Sequence, residues 1–252
     1  MSKPILVFDM DGVLVDVSES YRETIACAAE QFTGVKPTPG YIQECKNRGG
    51  FNDDWKLTHY IVAEAGVEVP FERVKDCFQR LFLGGLMLRE RWIAQPGLLE
   101  RLSERFHMAI LTGRPRAEAE LTLKRFGGSV AFRPMVCMGE TRPKPDPAGL
   151  LEIVGSEPDA NRSLTGRPLG PAHNEPGEPR PSESDRARTG PQAFYIGDTV
   201  DDAQCARAAG VPFIGIAAPS NPLYLDLVFL FQAAGAYAII DDINYLEEVF
   251  AS

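Results

Sequence analysis

The sequence lacks the features that mark membrane, secreted and nucleic-acid-binding proteins. Its longest apolar run near the carboxyl end, L-V-F-L-F, has only five residues, whereas a membrane-spanning helix needs roughly 20. An acid already stands at position 9, so we expect no signal peptide. The net charge of −9 argues against a nucleic-acid partner, which would require a basic surface.

The sequence also lacks paired cysteines. Its five cysteines form no C-x-x-C pair, and their number is odd. This pattern is typical of reduced thiols, because structural disulfides need pairs and an oxidising compartment. We therefore expect a cytoplasmic protein with no membrane partner.

Short apolar runs alternate with helical patterns over most of the 252 residues. Such alternation predicts an α/β fold with a parallel sheet that helices cover on both faces. The predicted strands are residues 5–8, 108–111, 135–137, 194–196, 213–216 and 237–240. Predicted helices lie between them at residues 100–106, 117–126, 148–154 and 203–209.

A block of residues, 17–92, shows only helical patterns and no strand. We expect Asp16 or Ser18 to cap its first helix, and Thr38 followed by proline to begin its second. The block therefore predicts an all-helical cap domain, inserted into a core domain formed by residues 1–16 and 93–252.

One segment of the core, residues 155–192, has an unusual composition. It holds seven prolines and no aromatic residue. Such a segment cannot bury enough apolar surface to offset the entropy of ordering it. It predicts a mobile insertion, for which a solvated loop is a simpler interpretation than a partner-binding segment.

Carboxylates follow the predicted strands where they end. Asp9 and Asp11 follow the first strand, Asp198 follows the fourth, and Asp201 and Asp202 come one turn later. The carboxyl ends of parallel strands meet at one edge of a sheet, so these acids should share one crevice. Since like charges repel in a partly dry site, a cation is expected among them. Oxygen ligands favour Mg²⁺.

Groups that bind phosphate lie beside these acids. Lys144 is held between prolines in R-P-K-P-D-P. Thr112 and the amide of Gly113 stand on a strand-to-helix turn, where phosphate oxygens bind well. Carboxylates, a metal, a lysine and a hydroxyl together indicate a phosphoryl-transfer site.

Four segments resemble, in order, the four motifs of the haloacid dehalogenase superfamily. They are F-D-M-D-G-V-L-V-D, L-T-G-R-P, R-P-K-P-D-P and I-G-D-T-V-D-D-A-Q-C-A-R-A-A-G. The helical block lies between the first and second motifs, as in the first subfamily, which includes the phosphoglycolate phosphatase-like group. The resemblance implies a Rossmann-like parallel core with an inserted helical cap.

The resemblance also implies a role for each motif residue. Asp9 would attack phosphorus and form an aspartyl-phosphate. Asp11 would protonate the leaving alkoxide and then activate the hydrolytic water. Thr112, Gly113 and Lys144 would hold the transferred phosphoryl group.

The metal ligands are implied in the same way. Mg²⁺ would be held by Asp9, by the backbone carbonyl of Asp11 and by Asp198. Asp202 aligns with the second acid of the last motif and is expected on the metal or beside its ligands. Asp201, the acid before it, is a less favoured candidate for the same place.

Asp11 favours hydrolysis of a phosphate ester, because the dehalogenases of the superfamily lack this acid. Phosphonatases use a cap lysine as a Schiff base, and Lys46 and Lys56 show no special environment for that role. An intramolecular sugar phosphomutase of the β-phosphoglucomutase type shares all four motifs and stays open. A non-catalytic binding module with this fold is the third alternative.

The cap segment K-N-R-G-G-F-N-D-D-W-K, residues 46–56, could carry specificity. Loops on a rigid scaffold often bind ligands, so Arg48, Asn52, Asp53 and Trp55 are predicted to face the substrate. A helix-capping turn with Trp55 packed in the cap explains the same residues. The acidic pair Asp53-Asp54 slightly favours a substrate with an amine.

We therefore expect a Mg²⁺-dependent phosphatase, a monomer or homodimer, acting on a small phosphorylated metabolite. Phosphoglycolate-like acids, sugar phosphates and amino-alcohol phosphates such as histidinol phosphate are the candidate substrates.

Overall fold

A computed structural model describes residues 3–128, 130–155 and 192–251. Nearly all of the predicted insertion, residues 156–191, lies outside the described residues, so its character stays a prediction.

Eight strands are described, and six of them form one parallel sheet. In chain order the strands are β1 (Ile5–Phe8), β2 (Val15–Asp16), β3 (Arg91–Trp92), β4 (His107–Leu111), β5 (Met135–Val136), β6 (Ala193–Gly197), β7 (Phe213–Ile216) and β8 (Ala238–Ile240). The sheet order is β5-β4-β1-β6-β7-β8. Each of the six lies within a residue or two of its predicted range, because short apolar runs bounded by turns favour buried parallel strands.

The register of the sheet brings three strand ends together. Phe8 at the end of β1 lies opposite Ile110 of β4 and Ile196 of β6. The residues that follow these three positions therefore reach the same edge of the sheet. This edge is where polar side chains were predicted to meet.

Ten α-helices are described, and they divide into two groups. In chain order they are α1 (Tyr21–Thr33), α2 (Pro39–Asn47), α3 (Asp54–Glu64), α4 (Phe71–Leu83), α5 (Leu98–Arg105), α6 (Arg116–Phe126), α7 (Ala148–Gly155), α8 (Val200–Ala209), α9 (Tyr224–Ala234) and α10 (Leu246–Val249). The first four form the helical cap, and the others belong to the α/β core. The predicted fold class is confirmed.

The core is built on both faces of the sheet because side chains alternate along each strand. Leu6 and Phe8 of β1 pack in one apolar cluster, which also contains cap residues such as Ile25. Ile5 and Val7 pack in a second cluster with residues of α7, α8 and α9. Cap and sheet therefore share one of the two apolar clusters.

Two details of the cap differ from the prediction. Neither Asp16 nor Ser18 caps α1, which begins after Ser20 without a side-chain cap. Asp16 instead lies in β2 and accepts hydrogen bonds from the backbone and hydroxyl of Ser18. The prediction of no strand in residues 17–92 is wrong at Arg91–Trp92, which pair with β2 as β3. Two residues are too few to show a strand period.

The ribbon of β2 and β3 lies close to both predicted ends of the cap. We therefore keep residues 17–92 as the proposed extent of the cap domain. Among the described helices, none combines the length and the apolar character needed to cross a membrane.

Candidate active site

Hydrogen bonds of the sheet hold the residues at its carboxyl edge in place. The Asp9 backbone N–H donates to Ile196 O at 2.8 Å, and the Thr112 N–H donates to Val136 O at 3.0 Å. Asp198 directly follows β6. These predicted residues meet at one edge because each continues the strand before it.

A glycine allows two of the motifs to approach each other. Gly12 has a φ of +72°, and a Cβ built on it would lie 2.0 Å from Asp198 Oδ2. A larger residue would displace Asp198 from the crevice and strain the turn. Gly12 therefore serves the site through the space it leaves for that carboxylate.

Asp9, Asp198 and Asp202 form a compact acid cluster. Each offers a carboxylate oxygen, and these atoms all lie within 4.8 Å of one another. Burial raises the pKa of Asp198 to about 7, although Arg22 opposes the shift. Burial also raises the pKa of Asp9 well above its usual value, against the effect of Lys144. A cation between them would stabilise the charged forms of Asp9 and Asp198.

The cluster fits a divalent cation by its donor set. Asp9 Oδ1 is buried and accepts no hydrogen bond from the described residues, and Lys144 Nζ lies 3.2 Å from it. An unsatisfied buried oxygen next to a second carboxylate is the kind of site that a hard cation occupies. The cluster could therefore hold a divalent metal ion.

Asp202 is bound differently from the other two acids. Its Oδ1 accepts hydrogen bonds from Lys144 Nζ at 2.7 Å and from the Tyr195 hydroxyl at 2.6 Å. Its Oδ2 accepts from the hydroxyl of Thr199 at 2.6 Å and from its backbone N–H at 3.0 Å. Burial opposes its ionisation, but Lys144 and these bonds hold the pKa of Asp202 below its usual value. The arrangement is that of a residue that positions Lys144.

Lys144 stays charged in this setting. Burial works against its charge, but the neighbouring Asp202 and Asp9 raise its pKa above the usual value. Its side chain is only 3% exposed. A buried, permanently protonated amine beside Asp9 can stabilise the charge of a phosphoryl group. Tyr195, which completes this unit, could not be found from the sequence because it lies within an apolar strand.

Asp11 lies beside the acid cluster and pairs with a cation that the motif analysis did not assign. Arg114 Nε donates to Asp11 Oδ1 at 2.7 Å. The Arg114 side chain is only 1% exposed, whereas that of Asp11 is 28% exposed. Asp11 therefore has one side fixed by a buried cation and another side open.

The cap lies directly against the core motifs. The backbone N–H of Gly50 donates to Asp201 Oδ1 at 2.8 Å. A Cβ built on Gly113 would lie 2.7 Å from Asn52 Nδ2. A cavity of about 20 Å³ remains between cap and core, lined by residues that include Asp11, Asn52 and Gly113. That is roughly the space one water needs.

Of the four cap residues that were predicted to face the substrate, two line the small cavity and two do not. Asn52 and Trp55 line the small cavity. Asp53 caps α3, where its Oδ1 accepts from the N–H groups of Trp55 and Lys56. Arg48 is half-exposed and pairs with Glu44 at 2.7 Å.

Arg22 and Lys46, two cap residues near the site, were not predicted to face the substrate. Asp54 lines the cavity and pairs with Lys46 at 2.7 Å. Arg22 Nη2 lies 3.8 Å from Asp198 Oδ2. Lys56, which like Lys46 was considered for a Schiff base, has a 60% exposed side chain. Their positions depend on how the cap docks, which no local pattern reveals.

Comparison with known proteins supplies a family. The model of the family described as haloacid dehalogenase-like hydrolase matches residues 6–159. An imidazoleglycerol-phosphate dehydratase from Phytophthora nicotianae is 32% identical over an alignment of 234 positions, which covers 88% of this chain and 45% of that protein. The chain thus spans about half the length of this curated relative.

Solved structures share the fold. A predicted phosphoglycolate phosphatase from Haemophilus somnus superposes with a TM-score of 0.68 at 18% identity, covering 98% of both chains. A phosphatase from Thermococcus thioreducens superposes with a TM-score of 0.55 at 27% identity, covering 91% of this chain and 98% of the other.

Proposed function

The chain belongs to the haloacid dehalogenase-like hydrolase family, and on that premise we propose that it is a Mg²⁺-dependent phosphatase of a small phosphomonoester. The observation that carries the proposal is the acid cluster. Asp9, Asp198 and Asp202 bring oxygens within 4.8 Å of one another, and Lys144 lies beside them. Acids this close need a cation, and the lysine suits a phosphoryl group.

Asp9, Asp198 and the backbone carbonyl of Asp11 are the proposed Mg²⁺ ligands. The buried Asp9 Oδ1, which accepts no hydrogen bond from the described residues, supports this assignment. Asp202 lies beside these ligands and holds Lys144. When bound, Mg²⁺ neutralises the carboxylates and the phosphoryl oxygens.

The proposed reaction uses two aspartates in turn. An Asp9 carboxylate oxygen attacks phosphorus, the bond to the ester oxygen breaks, and Asp11 gives the leaving alkoxide its proton. Water then attacks the phosphorus of the aspartyl-phosphate and loses its proton to Asp11. Orthophosphate leaves, and Asp9 and Asp11 return to their starting states.

Three groups are proposed to hold the phosphoryl oxygens during both steps. Lys144 offers its ammonium, Gly113 its backbone N–H and Thr112 its hydroxyl. Thr112 Oγ1 accepts the Arg114 N–H at 3.2 Å, and its own proton can point to phosphate. Docking of the cap would exclude water from the site.

The substrate is proposed to be a small phosphorylated metabolite. The acidic pair gives little support for an amine, since Asp53 caps a helix and Asp54 pairs with Lys46. The name of the curated relative points to imidazole-bearing phosphate esters, so histidinol phosphate joins sugar phosphates and phosphoglycolate-like acids in the test panel. A cytoplasmic monomer or homodimer without nucleic-acid or membrane partners stays our proposal from the sequence.

A phosphate-release assay tests the proposal. Wild-type protein is expected to release orthophosphate from at least one ester of the panel when Mg²⁺ is present, and Asp9→Asn is expected to release it at least about 10³-fold more slowly. Mg²⁺ should also raise the Tm of the wild type more than that of Asp198→Asn, because binding stabilises only the folded state. Sugar-phosphate isomerisation without net release would indicate a mutase, and no turnover of any kind a binding module.

A further inference from the structure

The Arg114 guanidinium joins the proposed acid, Asp11, to the segment where the chain returns from the cap. Its Nε donates to Asp11 Oδ1 at 2.7 Å, and its Nη2 lies 2.5 Å from the same oxygen. Its Nη1 lies 2.7 Å from Glu90 Oε1 and donates to Thr122 Oγ1 at 2.7 Å. One buried side chain therefore holds two carboxylates from distant parts of the chain.

Glu90 is the anchor of this arrangement. Its carboxylate is 0% exposed, and it accepts a hydrogen bond from the Thr122 hydroxyl at 2.9 Å. It directly precedes β3, the strand by which the chain leaves the cap. A buried carboxylate of this kind is costly unless it is paired, so Glu90 keeps Arg114 in place.

The contact between Arg114 and Asp11 is not needed for a structural ion pair. Arg114 and Glu90 would neutralise each other without Asp11. Asp11, however, lines the cavity between cap and core, and both close contacts from Arg114 fall on its Oδ1. Its other oxygen is thereby left as the one that can reach a leaving group.

Aromatic packing restricts the arginine further. The Arg114 guanidinium lies over the ring of Tyr21, 4.7 Å from the centroid. Tyr21 belongs to α1 of the cap and also lines the cavity. A planar guanidinium held by a ring and two carboxylates has little freedom to rotate.

From this geometry we infer that Arg114, anchored by Glu90, is the positioning residue that orients Asp11 toward the leaving group. The inference rests on the proposed phosphatase function, in which Asp11 gives the leaving oxygen its proton. Arg114 acts through Asp11 and does not itself take part in bond breaking.

Two aryl esters of similar shape test this role. The leaving group of phenyl phosphate is a basic phenoxide that needs a proton, whereas the leaving group of 2,4-dinitrophenyl phosphate is weakly basic and does not need one. Arg114→Gln is expected to lower kcat/KM, which reports the steps up to formation of the aspartyl-phosphate and not its hydrolysis, about 100-fold for phenyl phosphate and less than about threefold for 2,4-dinitrophenyl phosphate, in line with the loss of general-acid assistance. Equal losses on both esters would overturn the inference, because a structural defect does not distinguish leaving groups.

Arg116→Gln is the matched control. Arg116 carries the same charge two residues later, but its guanidinium pairs with Glu140 at 2.5 Å. This variant should leave the ratio of the two kcat/KM values unchanged. If Arg116→Gln alters that ratio as strongly as Arg114→Gln, the inference is wrong.

Glu90→Gln gives a second test if Arg114→Gln does not fold. It removes the anchor and keeps Arg114 beside Asp11, so kcat/KM should fall about tenfold for phenyl phosphate and almost not at all for 2,4-dinitrophenyl phosphate. Equal losses on both esters would again overturn the inference. Wild type that releases no phosphate from any ester would instead mean that the proposed function has failed, and the inference with it.

Discussion

The core edge and the cap loop form opposite sides of one crevice, and they are held in different ways. On the core edge, Lys144 and Asp202 are buried and joined to their neighbours by short hydrogen bonds. In the cap loop, residues 46–56, Arg48 is half-exposed and pairs within its own helix turn. Buried bonds of this kind fix geometry, whereas exposed pairs contribute little. We therefore propose that the sheet fixes the chemistry and that the cap governs the choice of ester.

The largest effect is expected when the proposed nucleophile on the core edge, Asp9, is removed. Asp9→Asn should lower kcat for phosphate release by at least about 10³-fold, because a neutral amide cannot replace the carboxylate that attacks phosphorus. The change keeps the shape of the side chain, so the variant should fold. Orthophosphate release at saturating ester measures the effect. Asp226→Asn, an exposed acid on α9, is the matched control, and Asp9→Asn activity within tenfold of wild type would contradict the proposed mechanism.

Tyr195→Phe tests whether the core edge depends on its buried bonds. The Tyr195 hydroxyl donates to the charged Asp202 at 2.6 Å, so its loss should lower the free energy of unfolding by about 2 kcal/mol. Urea unfolding at neutral pH measures this value.

Tyr237→Phe provides the comparison for that variant, because Tyr237 is 56% exposed. It should unfold like the wild type. The kcat of Tyr195→Phe should fall less than about tenfold, since Lys144 keeps its direct bond to Asp202. An unchanged free energy of unfolding in Tyr195→Phe would show that this buried bond is not needed.

The core edge was largely predictable from the sequence, and the reason is physical. Asp9, Thr112 and Asp198 each follow a short apolar run that favours a buried strand, and parallel strands end together. Tyr195 was not predictable as a partner of Asp202, because a tyrosine in an apolar strand shows no polar signal. Arg114 was not either, because its anchor Glu90 lies in a distant segment of the chain.

The cap loop was predictable only as a loop. Its glycines and acids indicate a helix boundary, and α3 does begin there with Asp53 as its cap. Which of its side chains face the cavity depends on the docking of the cap on Gly113 and Asp201. These contacts join segments far apart in sequence, so a local pattern gives no information about them.

Two substitutions within the cap loop, with smaller expected effects, test which of its side chains influence the choice of ester. Asn52 lines the cavity, so Asn52→Ala should change the ratio of kcat/KM between two esters of the panel by about threefold to tenfold. Arg48 pairs with Glu44 away from the cavity, so Arg48→Ala should leave that ratio within about twofold. The ratio is measured by competition between the two esters. A larger change in Arg48→Ala than in Asn52→Ala would reverse the assignment of the two residues.

The smallest expected effect concerns a buried acid of the core that holds the cap. Glu118 accepts hydrogen bonds from Tyr21 and from Gln79 of the cap, and burial raises its pKa above the usual value. The stability that this group contributes is therefore fully present below its unfolded pKa, and it is lost as pH rises through the higher folded pKa. Glu118→Gln removes this titration, so the Tm difference between variant and wild type should become more positive from pH 4 to pH 7, by no more than about 2 °C. Glu120 lies two residues later on the same helix and is exposed, so Glu120→Gln should show no such trend. A Tm difference for Glu118→Gln that becomes more negative with pH would mean that the charged form of Glu118 stabilises the cap.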